Sequence, residues 1–485
     1  MSDLFELIKT PWPYLFGAVT VGLNIWATIH LVLKNRDSRA VIGWAGLIWL
    51  VPIGGVTFYW CFGINRIRRK AVSLRTGEAW SHRNQIEPRQ EDFDRAAGLL
   101  DHHPTMMSLA RLGRNITKRD AIPGNRVDPL QHGDEAYPAM LKAIEEAEKS
   151  VALLSYIFDC DRAGNAFQEA LVNAQNRGVE VRILIDGVGA RYSKTSMIAE
   201  LRNAGLNANA FLPSNPWSMK YANLRNHRKI LVVDGKIGFT GGTNIREGHW
   251  LTLEPDYPVQ CLHFRLEGPV VPHLMEAFAV DWAFSTGESL GGPIWFAEAE
   301  PDGPVWARGI PDGPDEDFEV LLNTLLGALA VAKERILIVT PYFLPESPLL
   351  HALSVTALRG VQVDIVVPSK NNMTLVQWAS TALFDQLLEQ GCNIYLSAPP
   401  FDHTKLMVVD SAWALIGSTN WDPRSLRLNF EYNVECYDER FAGKLVPLVE
   451  AKIEKAHRVT MEELTTLPFP IRLRNGLARL ATPYI

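Results

Sequence analysis

The segment His227–Asp234, HRKILVVD, has a second copy at His403–Asp410, HTKLMVVD. Each copy is followed by a small-residue turn ending in asparagine, Gly241–Asn244 and Gly417–Asn420. The spacing between copies is 176 residues at the histidine and again at the asparagine. One His-x-Lys constrains little. Two copies with matching flanks require two similarly folded halves, and predict one site in which two His and two Lys surround an anion.

The surrounding pattern supports that duplication. In the first half, helical spacing covers Tyr137 to Lys149, Ala166 to Arg177 and Thr195 to Ala204. Buried-strand patterns cover Val151 to Phe158, Val179 to Ile185 and Ala208 to Leu212. The second half repeats the order. Helices are expected over Phe318 to Lys333, Leu349 to Arg359 and Trp378 to Gln390, and strands over Arg335 to Thr340, Val361 to Val367 and Asn393 to Ser397. The fold class is therefore α/β, with two similar domains at 134–290 and 315–485. The Pro/Gly-rich stretch 291–314 reads as a linker, and the weakly patterned 71–133 as a connector with short helices.

Ahead of these lies an apolar hairpin at 1–70. The stretches 12–33 and 41–62 are almost uninterrupted apolar sequence. Each is long enough to cross a hydrocarbon core of ~30 Å at ~1.5 Å per helical residue. Asn24 and His30 are the strongly polar exceptions in the first, and Pro52 interrupts the second. Trp12, Tyr14, Tyr59 and Trp60 mark the ends, as interfacial aromatic residues do. The short loop carries Lys34, Arg36 and Arg39; the other side carries Lys9, Arg66, Arg68, Arg69, Lys70 and Arg75. The larger positive count places the main body in the cytoplasm. Five scattered cysteines, Cys61, Cys160, Cys261, Cys392 and Cys436, have neither metal-ligand spacing nor a disulfide framework, and favour the same reducing compartment. A net charge of −6 supplies no global basic field for nucleic acid.

The motif's spacing fits phosphoryl chemistry. Side chains two apart in a strand share a face, so His227 points with Lys229 and His403 with Lys405. Asp234 and Asp410 lie at an odd offset, and Asp234-Gly235 is a turn dipeptide. Their main expected role is to close the turn that returns the chain to Asn244 and Asn420. Two Lys and two Asn can hold the non-bridging oxygens of a phosphate and stabilise charge in the transition state. One His can attack phosphorus, and the other can protonate the leaving alkoxide and deprotonate the acceptor. The Lys residues supply the cationic charge, and the motifs hold too few carboxylates for a magnesium site, so neither metal nor cofactor is expected.

These residues resemble the signature of the phospholipase D superfamily, two His-x-Lys-x4-Asp segments each followed by Gly-Ser/Gly-x-Asn. The phrases around Asn226–Lys229, Thr340–Pro345, Asn420–Ser425 and Asn429–Glu431, with the N-terminal hairpin, are similar to bacterial cardiolipin synthases. The resemblance implies two phospholipase D-like α/β domains in a multi-pass protein of the bacterial inner membrane. It implies a phosphatidyltransferase acting through a phosphohistidine: one phosphatidylglycerol donates its phosphatidyl group and a second accepts it, giving cardiolipin and glycerol. The alternative is a phospholipase D-type enzyme using water or another alcohol. The partners implied are phospholipid and the bilayer. The catalytic set carried over is His227, Lys229, Asp234, His403, Lys405 and Asp410, with Asn244, Asn420 and Glu431 in support. His227 is the expected nucleophile and His403 the acid/base.

One departure stands out. Glu431 resembles the family's acid that holds a catalytic His in one tautomer, but the first half has Cys261 where relatives carry Asp. Two outcomes stay open: Asp256 or Glu247 compensates, or the site is less active. Elsewhere, Arg472, Arg474 and Arg479 interleave with Leu473, Leu477 and Leu480, as in a basic amphipathic helix on an anionic membrane or an ordinary docking helix. Trp217, Met219 and Tyr221 form an apolar loop before the first motif, and His102 and His103 read as solvated.

Overall fold

A computed structural model describes residues 11–34, 38–60, 104–192, 195–212, 224–298, 300–314 and 319–482. The chain divides into two compact units, Met1–Lys70 and Ala71–Ile485. The loop containing Trp217, the His102–His103 pair, Arg36 and the basic run 66–75 fall outside the described residues.

In the N-terminal unit one helix runs from Pro11 to Lys34, and its Tyr14–Leu33 portion is long and apolar enough to cross a membrane. The second apolar stretch is helical in two pieces. A helix covers Ser38–Leu50, and a five-residue helix, Gly54–Phe58, follows a break. Pro52 has no N–H to continue the ladder, and Ile53 has a φ of 67°, off the helical path. The polar exceptions are used inside the unit. His30 Nδ1 lies 2.8 Å from the Tyr59 hydroxyl, and Asn24 is buried.

Among the described residues the larger unit is built on one 16-stranded mixed sheet, fifteen strands in a row with Arg225–Asn226 beside Asn429–Tyr437. From one edge the strands are Ala208–Phe211, Glu180–Asp186, Ser150–Ser155, Ile230–Val233, Ile237–Gly241, Leu262–Glu267 and Ile122–Gln131. The order then continues in the other half with Val305–Asp312, Asn429–Tyr437, Trp413–Gly417, Leu406–Val409, Arg335–Val339, Gln362–Pro368, Asn393–Ser397 and His457–Arg458. The two halves thus run in mirrored order from a shared seam, where Ile122 pairs with Ala307. Each half has its own apolar core. Strands such as Ser150–Ser155 and Leu406–Val409 are buried along their whole length, which explains their continuous apolar runs.

The expected α/β order holds closely in both halves, with helices at His132–Glu145, Arg162–Asn176, Val320–Val331 and Ser347–Leu358. Asp161 caps the second of these by accepting from Gly164 N at 2.9 Å. The helix expected over 378–390 is two, Thr374–Thr381 and Phe384–Glu389, separated where Leu383 turns into the core. The larger difference is at the seam. Stretches that read as connector and linker supply its two strands, Ile122–Gln131 and Val305–Asp312. Arg308 in the second is fully buried there. Its guanidinium pairs with Glu435 and donates to the carbonyls of Ala110 and Arg119, which is how a charge is tolerated at the centre of the sheet.

Candidate active site

Neither His-x-Lys lies within a strand ladder. Each occupies the extended segment that leads into one, 227–229 before Ile230–Val233 and 403–405 before Leu406–Val409. What fixes each segment is backbone pairing with the opposite half. Arg225–Asn226 pairs in parallel with Asn429–Phe430, and His227 N donates to Phe430 O at 2.9 Å. In the same way Phe401–Asp402 pairs with Val259–Gln260, and His403 N donates to Gln260 O at 2.7 Å. This crossing brings the two imidazoles to a centroid separation of 6.3 Å, nearly perpendicular at 85°. They line one cavity of about 940 Å³ together with Asn244 and Asn420.

The lysines lie just behind. Lys229 Nζ donates to His227 O and Lys405 Nζ to His403 O, each at 2.7 Å. Both are buried, and burial pulls Lys229 down to about 7 and Lys405 to about 8. For Lys229 the nearby Lys405 charge adds to this and Glu431 opposes it. Lys229 also sits 5.3 Å from the centre of the Tyr156 ring, a weak cationic contact.

The two histidines are held differently. Glu431 is fully buried and lies 3.0 Å from His227 Nδ1 through either carboxylate oxygen. It also accepts from Ser418 Oγ at 2.5 Å and Asn429 Nδ2 at 3.1 Å. Burial alone would raise Glu431. The charges of His227 and Lys229 and the hydrogen bonds outweigh it and hold the carboxyl below its usual range. Burial takes His227 down to about 4 despite the Glu431 charge, so its imidazole is neutral at pH 7. Nδ1 then carries the proton toward the carboxylate, and Nε2 keeps its lone pair. The acid from the second half therefore orients the first half's histidine, not its own.

For His403 the counterpart is Cys261. The registers Gly241–His263 and Gly417–Asn433 make Cys261 the positional equivalent of Glu431. The thiol does not hold the ring: its sulfur lies 3.3 Å from His403 O, while His403 Nδ1 bonds the Gly242 carbonyl at 2.9 Å. A Cβ at Gly242 would meet Cys261 Sγ at 2.5 Å and His403 O at 2.7 Å, so only glycine permits this approach. Neither acid expected to compensate takes the place of Glu431. Glu247 pairs with Arg162 at 3.0 Å, and Asp256 lines the cavity without a described hydrogen bond to either ring. Burial, with the charges of Lys405 and Lys229, holds His403 well below its ordinary range.

The two aspartates grouped with the catalytic residues by the resemblance stand elsewhere. Asp234 accepts from Glu148 N, Lys149 N and Ser150 N at 2.7–3.0 Å. Asp410 does the same for Lys333 N, Glu334 N and Arg335 N. Each ties the turn after the motif strand to the start of the neighbouring strand, and neither lines the cavity. We expect Asp234→Ala to lower stability by about 1–3 kcal/mol, since three donors lose their acceptor. Turnover of the folded fraction should stay near wild type; parallel thermal melts and steady-state assays check this.

The cavity also holds residues that the motif did not indicate. Tyr156 lies 5.0 Å from His227 between ring centres, and His249 lies 6.1 Å from His403. Arg225 and Arg424 line the same wall; burial and the Arg225 charge lower Arg424. Arg228, the middle residue of the first motif, reaches outward to Asp281 at 2.7 Å and to Glu431 O at 2.9 Å, locking the two halves at the site.

A doubled α/β sheet with paired histidines and lysines at its seam defines a phospholipase D-type protein. The chain belongs to the cardiolipin synthase family of that superfamily. The family model described as "Cardiolipin synthase, PLD-like domain" matches residues 140–260 and 325–453, and "Phospholipase_D-nuclease N-terminal" matches 22–63. The chain is 31% identical to the Major cardiolipin synthase ClsA of Bacillus subtilis over 477 residues, covering 96% of this chain and 97% of the relative. It is 30% identical to cardiolipin synthase A of Pseudomonas fluorescens, covering 98% and 99%. Among solved structures, phosphatidylserine synthase of Haemophilus influenzae shares the fold at a TM-score of 0.59 and 14% identity, over 77% of this chain and 99% of that one.

Proposed function

We propose that the protein is a cardiolipin synthase that transfers a phosphatidyl group from one phosphatidylglycerol to another and releases glycerol. The observation that carries this reading is the facing pair of imidazoles, one bound to a carboxylate and one to a carbonyl. In the proposed mechanism His227 Nε2 attacks phosphorus, and the bond to the glycerol oxygen breaks. Glu431 balances the positive charge that grows on the imidazole. The bound phosphodiester supplies the negative charge that lets His403 carry a proton, which it gives to the leaving alkoxide. His403 then takes a proton from the hydroxyl of the second lipid. That oxygen attacks phosphorus, and His227 is released. Lys229, Lys405, Asn244 and Asn420 hold the non-bridging oxygens.

Membrane attachment through the Pro11–Lys34 helix supports a phospholipid substrate. We place the larger unit on the cytoplasmic side of a bacterial inner membrane, on the asymmetry of Lys and Arg around the apolar segments. Labelled phosphatidylglycerol incubated with the protein in vesicles should yield cardiolipin and glycerol together. Phosphatidic acid as the sole lipid product would overturn transfer in favour of hydrolysis.

The pH profile has a definite sign. Lys229 at about 7 and Lys405 at about 8 lose their charge as pH rises, and with it their hold on the phosphodiester. His227, at about 4, is already neutral throughout that range. His403, held well below its ordinary range when free, must gain its proton as the phosphodiester binds. We therefore expect kcat/KM, which reports the free enzyme, to fall with rising pH already below 7, and more steeply above about 7 to 8, where the lysines discharge. The kcat limb should lie higher, because bound phosphate stabilises both ammonium groups. A flat kcat/KM from pH 6 to 9 would contradict this.

A further inference from the structure

The C-terminal helix Phe469–Leu480 turns its apolar side away from the protein. At about 3.6 residues per turn, Phe469, Leu473, Leu477 and Leu480 fall on one face, with Asn475 and Ala478 opposite. The first four are 67%, 50%, 57% and 74% exposed, whereas Asn475 and Ala478 are each 4% exposed. The helix is anchored by its polar residues. Arg474 stacks over the Trp378 ring at 4.3 Å from its centroid, and Arg479 donates to Ala382 O at 3.5 Å. Arg472 and Arg479 flank one border of the outward apolar stripe.

A soluble docking helix has the reverse arrangement, apolar side in and charges out. An outward stripe bordered by arginines suits a helix lying in a lipid headgroup layer, with its leucines among the acyl chains and its guanidinium groups beside phosphates. The neighbouring element points the same way. The helix it packs on, Thr374–Thr381, begins at the exposed Met373 and bears the exposed Leu375. Met373 and Lys370, both exposed, also line the catalytic cavity.

We propose that Phe469–Leu480 is an interfacial docking helix for an anionic phospholipid surface, and that through the Thr374–Thr381 helix it seats the cavity mouth against that surface. The packing of the two helices links the outward stripe to the exposed Met373 and Leu375. A lipid that reaches the histidines then enters from the layer on which the helix lies. The idea that lipid enters there rests on the proposed phospholipid substrate; the docking itself does not.

The test uses the full chain reconstituted in vesicles, with the photo-crosslinker benzoylphenylalanine at Leu473 or Leu477. Lipid adducts are expected at both positions, and about fivefold more in vesicles containing phosphatidylglycerol than in pure phosphatidylcholine. Adducts chiefly to a second copy of the chain, or chiefly to other segments of the same chain, would overturn the proposal. So would equal yields in both vesicle types. As a second reading, the double variant Leu473→Glu, Leu477→Glu should lose about tenfold in kcat/KM on vesicle substrate. Its turnover of dispersed short-chain phosphatidylglycerol should be unchanged, and equal loss on both substrates would count against docking. Crosslinking does not depend on turnover, so lipid adducts from a chain that makes no cardiolipin would refute the proposed activity and leave the docking helix standing.

Discussion

Alanine in place of His227 should abolish glycerol release and cardiolipin formation, a loss on the order of 10⁵-fold or more, as when a covalent nucleophile is removed. The variant should also form no covalent lipid adduct. His403→Ala separates the two roles. It leaves the nucleophile and Glu431 in place, so a short incubation with labelled phosphatidylglycerol should trap an acid-labile adduct on His227 that turns over very slowly. The site's asymmetry is what demands this difference. His227 has a carboxylate at Nδ1, which balances the positive charge that grows on an attacking imidazole, whereas His403 has a neutral carbonyl, which orients the ring without balancing that charge. Adduct mapped to His403 in the His227→Ala protein would reverse the assignment.

The second large effect is expected at Glu431. Glu431→Gln should reduce turnover by about 10⁴-fold, comparable to replacing the orienting acid of a catalytic triad by its amide. The amide can offer Nδ1 a donor and so place the proton on Nε2, where the lone pair is needed. The fold should survive, because Ser418, Asn429 and the surrounding strand remain. Acid stability supplies an independent readout. The Glu431 carboxyl is held below 4.5, so its contribution is present above that pH and lost as pH falls through the lower folded value. The amide variant should lack that part of the acid dependence. Cys261→Asp is expected to preserve or raise turnover, because Gly242 already holds His403 Nδ1. A marked loss there would show that the thiol's place near Lys405 matters more than its neutrality.

The paired His and Lys and the alternating α/β order could be read directly, because both are local patterns of spacing and burial. The turn role of Asp234 was also legible from its odd offset and the glycine that follows. The seam was not. Ile122–Gln131 contains Pro123, Gly124 and Pro129, and Val305–Asp312 contains Gly309 and Pro311, residues that disfavour a central strand. They are accommodated partly by a register shift between Ile122 and Asn125. Without the seam, sequence could find Glu431 but could not show which histidine it meets, since that contact crosses between halves. His249 was missed because it lacks a duplicated counterpart; the matching position, 176 residues on, is Ser425. The second apolar stretch is helical on both sides of a break at Pro52, where hydropathy continues but the hydrogen-bond ladder does not.

The seam has a mechanical consequence. Its strands, and the short pairings of 225–226 with 429–430 and of 401–402 with 259–260, make the sheet a single rigid girder through the catalytic centre. Among the described residues, two lobes joined in this way share backbone pairing at the site itself. Rocking them apart to admit a bulky two-chain lipid would tear the backbone bonds that position both histidines. Lipid exchange through the opening of the cavity would leave those bonds intact, so the frame that positions the histidines need not open for each turnover.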